Sequence, residues 1–372
     1  MRIEDIRSKL GSWLATCLPD ADDVRIEGLD RVDFGHSAET ILLTLAWRTN
    51  GAERREDVVL RLRPPAPGLL EPYDLRRQFE ILRGLEGTPV RAPRALWLEG
   101  SGDVLGREFY VMERLHGTVY ERSVPEKLAA APDRIRRMSE SILEQLAAIH
   151  SVDLRATGLA AIADGRDYLE RELQHWAREM RRMQRGPLPA LERLSTELCE
   201  RKPEPCPTVA LVHGDPKPGN FAFVGDEVSA VFDWEMATVG DPLADIGWAE
   251  SLWRTPGSFT SLPGALTPDE LVTRYEELTG IPVRNREWYR AFQQFKLTVI
   301  LFVGGMLFDG GFTDDLRLAE MGLVVHPMTR RALHELGIDA DLEPGPVSPR
   351  DERLRAVRSA RNAHAVSSQG SA

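Results

Sequence analysis

The chain of 372 residues has only three cysteines, Cys17, Cys199 and Cys206. They form no C-x-x-C pair and no even set from which a disulfide framework could be built, so reduced, structural thiols are expected. The first residues, M-R-I-E-D-I-R-S-K-L, lack the uninterrupted apolar core of a secretory signal, and no stretch of membrane-spanning length is free of charge. These absences predict a cytoplasmic chain without a membrane partner. An excess of positive charge is missing too: the formal net charge is −11, which argues against general nucleic-acid binding. Neither G-x-x-x-x-G-K-[ST] nor G-x-G-x-x-G occurs, and no internal repeat is visible. What is present is ordinary for a globular protein. With 42% apolar and 28% charged residues the chain can bury a sizeable core, and its length suggests two or three domains.

The chemistry-bearing residues concentrate between Leu211 and Trp234, L-V-H-G-D-P-K-P-G-N-F-A-F-V-G-D-E-V-S-A-V-F-D-W. An apolar run from Val209 to Val212 leads into a segment where Pro216, Pro218 and Gly219 forbid regular helix, so Asp215 and Asn220 stand on a stiff loop. Two short strands, Phe221 to Val224 and Val228 to Phe232, are expected to reverse around Gly225, Asp226 and Glu227. That reversal carries Asp233 back beside Asn220. A carboxylate so placed can orient a hydroxyl and accept its proton. A carboxylate and an amide oxygen together suit a hard divalent cation, which takes oxygen ligands.

The spacing of Asp215, Asn220 and Asp233, with Lys217 two places after the first, resembles the protein-kinase catalytic loop followed by its metal-binding aspartate. More closely, H-G-D-x-x-x-x-N at His213 to Asn220, V-F-D-W-E at Val231 to Glu235 and G-D-P-L-A-D-I-G at Gly240 to Gly247 resemble the aminoglycoside phosphotransferase and choline kinase family. The resemblance is strongest to the branch found joined to acyl-CoA dehydrogenases. It implies an α+β, two-lobed kinase-like fold, with a small antiparallel-sheet lobe over residues 1–114, a larger mainly helical lobe over 115–340, and a loosely held tail over 341–372. It also implies ATP and Mg2+ as cofactors, Asp215 as catalytic base with Lys217 beside it, Asn220 and Asp233 as magnesium ligands, and His213 and Asp245 as supports of the loop.

Before that stretch, Ile3, Ile6, Leu10, Trp13, Leu14 and Leu18 recur at helical spacing. Strands are expected at Val24 to Leu29, Thr40 to Trp47 and Asp57 to Leu62, with Thr49 to Arg55 as a polar turn; Ala92 to Gly100 and Arg107 to Arg114 should complete a five-stranded sheet. Between the first two strands, R-V-D-F-G-H-S-A-E-T keeps only Gly35, His36, Ser37 and Thr40 of the family's phosphate-covering loop. Gly35 and Ser37 are the phosphate contacts it implies; a common β-turn is the alternative. Arg61 stands where the family usually carries a nucleotide-binding lysine, and arginine keeps the charge and can fork onto two oxygens. Arg63 shares its strand face.

The family resemblance implies that the following helix, about Tyr73 to Leu85, should offer that cation a glutamate. It offers Gln78 instead, which could bond the guanidinium, unless Glu71 or Glu80 substitutes. Glu113 and Leu115 fall at the hinge whose backbone would meet adenine. His150 closes an apolar helix and reads as a packed structural histidine. Tyr168 to Arg185 is a further helix, and Phe292 to Phe308 is a strongly apolar one with Lys296 inside it.

The expected activity is transfer of the γ-phosphate of ATP to a hydroxyl of a small molecule, with a hydroxyacyl-CoA favoured by the branch resemblance. The alternative is a catalytically weakened nucleotide-binding or regulatory protein of the same fold.

Overall fold

The structure is a computed structural model that describes residues 3–32, 39–121, 123–163, 165, 167–339 and 353. It divides into two compact units. One comprises Met1–Ala66, Pro72–Asp164 and Pro207–Val283; the other comprises Pro67–Glu71, Gly165–Cys206 and Arg284–Ala372. The expected lobe boundary near residue 115 falls inside the first unit. The tail expected from 341 onward lies, Arg353 apart, outside the described residues.

The first unit opens with helix α1 (Ile3–Cys17), followed by strands β1 (Asp22–Val32), β2 (Glu39–Thr49) and β3 (Ala52–Leu62), helix α2 (Leu75–Leu85), and strands β4 (Ala95–Glu99) and β5 (Phe109–Glu113). The strands form one antiparallel sheet in the order β1-β2-β3-β5-β4, so all five expected strands are present. The polar turn expected over Thr49 to Arg55 is much shorter. Asn50 and Gly51 both take left-handed backbone, closing a two-residue hairpin, and the charged residues after them already belong to β3.

Alternation along the strands assigns the two faces. Ile41, Leu43 and Leu45 of β2, Val58, Leu60 and Leu62 of β3, and Phe109 and Val111 of β5 join Ile6, Leu10 and Leu14 of α1 in one buried cluster. Trp13 meets Phe109 edge-on at 4.9 Å. Arg61 and Tyr110 have the opposite parity, so both point away from α1. On that second face lies α2, capped by the Asp74 side chain accepting from Arg77 N, with Phe79 packed 6.2 Å from the Tyr110 ring.

After the sheet come α3 (Glu126–Ala129) and the long α4 (Pro132–His150), then, in the second unit, α5 (Tyr168–Met183) and α6 (Pro189–Glu200). The chain re-enters the first unit through β6 (Ala210–Val212), the hairpin β7 (Phe221–Val224) and β8 (Glu227–Val231), β9 (Thr238–Gly240), α7 (Leu243–Leu252) and α8 (Pro268–Thr279). In the second unit α9 (Arg286–Asp309), α10 (Leu316–Leu323) and α11 (Val325–Glu335) follow, and α5, α6, α10 and α11 all pack on α9. Among the described residues α9 is the one helix long and apolar enough to reach across a membrane; Lys296 interrupts its apolar run, as expected, and most of it is buried inside protein. Its Lys296 is 2% exposed, with Nζ 5.8 Å from the centre of the Trp176 ring on α5.

Candidate functional site

The stretch singled out in the sequence folds as a stiff loop between short strands. β6 pairs antiparallel with β9, Ala210 opposite Gly240 and Val212 opposite Thr238, so His213 leaves the ladder at the end where Thr238 enters it. The prolines leave room for only a single 3-10 turn, Pro218–Asn220. Gly214 has φ +84, and a Cβ there would lie 2.5 Å from the carbonyl oxygen of Met236, so no larger residue fits that corner.

The corner is held from beneath by Asp245 on α7. Its side chain is fully buried; Oδ2 accepts from His213 N at 2.7 Å and Oδ1 from Gly214 N at 2.8 Å. Burial alone would raise the Asp245 pKa, but the hydrogen bond and charge of His150, the nearby His213 and the Gly214 N–H hold it below the usual carboxylate value. His150 at the end of α4 is thus structural, as expected, yet more than packing. Its Nε2 lies 3.0 Å from Asp245 Oδ2 and its Nδ1 lies 2.7 Å from the Tyr275 hydroxyl on α8. Tyr275 was not anticipated, because nothing near it in sequence marks its partner.

His213 itself links three parts of the site. Its Nδ1 accepts from Asp215 N at 3.2 Å and its Nε2 donates to Phe232 O at 2.8 Å, which fixes the tautomer with the proton on Nε2. Its ring lies 4.7 Å from that of Trp234.

Asp215 is 6% exposed. Its Oδ2 accepts from Lys217 Nζ and from Asn220 Nδ2, both at 3.0 Å, while Oδ1 is buried with no hydrogen-bond partner. Asp215, with Asp233 and Glu121 farther off, holds the Lys217 ammonium above the usual lysine range despite its burial. Asn220 Nδ2 also donates to Asp215 O at 2.7 Å, leaving the amide oxygen without a donor among the described residues. Phe232 N donates to Asn220 O at 2.8 Å and Phe221 pairs with Val231, so the hairpin returns Asp233 beside Asn220, as its sequence predicts. Asp233 has φ +65, a left-handed backbone that a non-glycine residue adopts at a cost of roughly 1 kcal/mol. Among the described residues no three His, Cys, Asp or Glu side chains gather as a metal cluster; the oxygen set here pairs an amide with a carboxylate.

Arg61, not Arg63, turns to this set. Its Nη1 donates to Thr40 Oγ1 at 3.0 Å, and its Nη2 lies 3.5 Å from Asp233 Oδ1 and 3.3 Å from Glu235 Oε2. Arg63 pairs instead with Glu108. Gln78 is buried but does not meet Arg61: its Oε1 accepts from the Tyr110 hydroxyl at 3.2 Å, and Tyr110 stands directly across the ladder from Arg61. Burial, with the carboxylates behind it, pushes the Tyr110 pKa up to about 12, so the phenol keeps its proton. Neither proposed substitute reaches Arg61, since Glu71 accepts from Gly68 N and Glu80 pairs with Arg83.

At the expected hinge, Glu113 donates its backbone N–H to Arg94 O and takes the Arg94 side chain on its carboxylate, and Leu115 follows half-buried beyond the strand end. Thr118 exchanges backbone hydrogen bonds with Phe223, tying this segment to the site hairpin. Gly35 and Ser37 lie outside the described residues.

The sequence profile of the phosphotransferase enzyme family matches residues 41–292. The chain belongs to this family. That match takes in Arg61, Asp215, Asn220, Asp233 and Asp245. Among this phosphotransferase's relatives, acyl-CoA dehydrogenase family member 10 of Mus musculus is 33% identical over 282 residues, 72% of this chain and 25% of the relative. Acyl-CoA dehydrogenase family member 11 of Rattus norvegicus is 29% identical over 288 residues, 72% of this chain and 37% of the relative. The chain therefore spans well under half of either protein.

Among solved structures, a candidate aminoglycoside phosphotransferase from Ralstonia eutropha JMP134 superposes with a TM-score of 0.71 at 25% identity, covering 89% of this chain and 98% of that one. A thermostable mutant of aminoglycoside phosphotransferase APH(4)-Ia, in a ternary complex with ADP and hygromycin B, gives 0.52 at 15% identity, covering 88% and 98%. The fold is thus the kinase-like fold of the aminoglycoside phosphotransferases, a five-stranded antiparallel sheet with a helical region.

Proposed function

We propose that this phosphotransferase moves the γ-phosphate of magnesium-bound ATP to a hydroxyl of a small molecule. The observation that carries this reading is Asp215: a buried carboxylate with one oxygen held by Lys217 and Asn220 and the other, Oδ1, without a partner. A buried carboxylate oxygen left unbonded costs about 1–3 kcal/mol, which an incoming hydroxyl donor would recover. Asp215 would orient that hydroxyl and take its proton as the oxygen bonds to the γ-phosphorus and the bond to the β–γ bridging oxygen breaks, releasing ADP. Lys217 stays charged beside it and would stabilise the transferring phosphoryl group. Arg61, 3.5 Å from Asp233, would neutralise charge on the phosphates.

The Asn220 amide oxygen and the Asp233 carboxylate are the groups that would hold magnesium. They fit it: both are hard oxygen donors, and the Asn220 amide nitrogen is already committed to Asp215. When bound, the ion neutralises phosphate charge. Glu113 and Leu115 would offer backbone groups to adenine, and Gly35 and Ser37 would cover the phosphates.

The acceptor is a hydroxyl-bearing small molecule. Likeness to the acyl-CoA dehydrogenase family members supports a hydroxyacyl-CoA within that class, whereas APH(4)-Ia, bound to hygromycin B, shares only the fold with this chain. The test is ATP consumption by the whole protein across a panel of hydroxylated compounds that includes hydroxyacyl-CoA thioesters, with Asp215→Ala in parallel. Turnover on at least one compound, lost in the variant, is expected; undiminished phosphorylation by Asp215→Ala would overturn the assignment.

A further inference from the structure

In this chain the helix facing the strand cation is neutral where a carboxylate is expected. Gln78, 3% exposed on α2, bonds not Arg61 but the hydroxyl of Tyr110, the cross-strand neighbour of Arg61. The missing negative charge sits elsewhere. Glu235, two residues beyond Asp233 in the Trp234–Met236 turn, has a side chain only 7% exposed and brings Oε2 to 3.3 Å from Arg61 Nη2. A carboxylate that deeply buried is tolerated when a cation and hydrogen bonds compensate it. Asp233 also lies near Arg61, but it is farther, at 3.5 Å, and four times as exposed, at 28%.

We propose that Glu235 is the positioning residue of Arg61. It would hold the guanidinium toward the phosphates in place of the helix carboxylate. This inference rests on the phosphotransfer reading. If Asp233 binds a metal ion, its charge is drawn to that ion, and Glu235 is the anion left to Arg61. Cation and candidate metal ligand are then placed by one short turn, 233–236, rather than by two elements that must approach each other. On the α2 side the neighbours are neutral, Tyr110 beside Arg61 and Gln78 bonded to Tyr110, so a shift of that helix would separate no ion pair.

The experiment is a double-mutant cycle in the whole protein, with Mg·ADP affinity and thermal unfolding of the ligand-free protein measured on each variant. Glu235→Gln is expected to weaken Mg·ADP binding about tenfold and Gln78→Ala less than about twofold. In an Arg61→Ala background the Glu235 effect should vanish, and Glu235→Asp should recover part of the affinity. A merely structural role would lower the melting temperature but leave the two effects on affinity additive.

Affinity unchanged in Glu235→Gln, additive losses, or an equal loss in Gln78→Ala would each overturn the inference. Should Glu235→Gln fail to fold, the Glu235→Asp and Arg61→Ala pair decides by the same criterion. Should the unaltered protein bind no Mg·ADP, the phosphotransfer reading fails. The positioning claim is then judged by the unfolding cycle alone: coupling between Arg61 and Glu235 larger than between Arg61 and Gln78 supports it, and no coupling overturns it.

Discussion

The two sides of the candidate site are built to different tolerances. On the loop side, Asp245 is wholly buried and meets His213 N, Gly214 N and His150 at 2.7, 2.8 and 3.0 Å. On the cation side, Arg61 stands 3.3 to 3.5 Å from its carboxylates, and Asp233 is 28% exposed. The first set is complete without any ligand, and its short buried bonds fix the backbone that presents Asp215. The second is loose, with charges approximately opposed but not in tight contact. A site for a highly charged substrate gains from this division. Under the proposed reaction, the group that would take the proton is preorganised, and the groups that would meet phosphate keep polar capacity for it.

The sharpest way to break the contrast is to damage the rigid side. Asp245→Ala would strand two buried backbone N–H groups and His150, at a cost of about 3–5 kcal/mol, and should remove folding stability and turnover together in denaturant unfolding and activity assays. The pH dependence has a definite sign. The folded Asp245 value lies below the unfolded one, so its contribution is complete above about pH 4 and disappears as pH falls through the lowered folded value. Stability that rose on acidification there would contradict it.

Next in size, Asp215→Asn should separate function from scaffold. Turnover should fall about 10²–10⁴-fold, with unfolding free energy within about 1 kcal/mol of the unaltered protein. A variant that loses stability as heavily as Asp245→Ala would mean that Asp215 belongs to the rigid frame.

The loose side should respond more mildly. Tyr110→Phe removes the hydroxyl that donates to Gln78 beside Arg61, a bond worth about 1 kcal/mol, so Mg·ADP affinity should drop at most about fivefold with little change in melting temperature. A loss as large as that expected from Glu235→Gln would show that the neutral link matters as much as the ion pair.

The smallest effect is expected away from both sides, at the capping box of α8. There Thr267 accepts from Glu270 N while Glu270 accepts from Thr267 N. Thr267→Ala should cost about 1 kcal/mol in unfolding and leave turnover within about twofold. The Thr267 N–H, with Arg136 and the Thr267 hydroxyl, brings the Glu270 pKa down to about 2 from 4.5. The Glu270 contribution is therefore full above pH 4.5 and fades as pH falls toward 2, which acid titration of the Glu270→Gln difference would check.

The same contrast explains what could be read from the sequence. Asp215, Asn220 and Asp233 lie on one loop and the hairpin that follows it. Prolines, a two-strand reversal and alternation were enough to bring them together, and the five strands were legible by the same local signals. Arg61 was separable from Arg63 only by its apolar predecessors, and Glu235 went unnoticed as its partner although it adjoins Asp233. Gln78 stands where the family pattern has its glutamate, yet the sheet register places Tyr110 between it and Arg61. Tyr275 and His150 meet across 125 residues of chain, a pairing that no local period announces. The hairpin at Asn50 and Gly51 is shorter than its composition suggests, because the charged residues of β3 resemble a turn in composition.

The central claim is that Asn220 and Asp233 hold a divalent cation against nucleotide phosphates while Asp215 serves the acceptor. Calorimetric titration of ADP into the whole protein, with and without magnesium, tests it most directly when repeated on Asp233→Ala and Asp215→Ala. The account predicts binding that requires magnesium, is lost in Asp233→Ala and survives in Asp215→Ala. Equal ADP binding with and without magnesium, or full magnesium-dependent binding by Asp233→Ala, would contradict it.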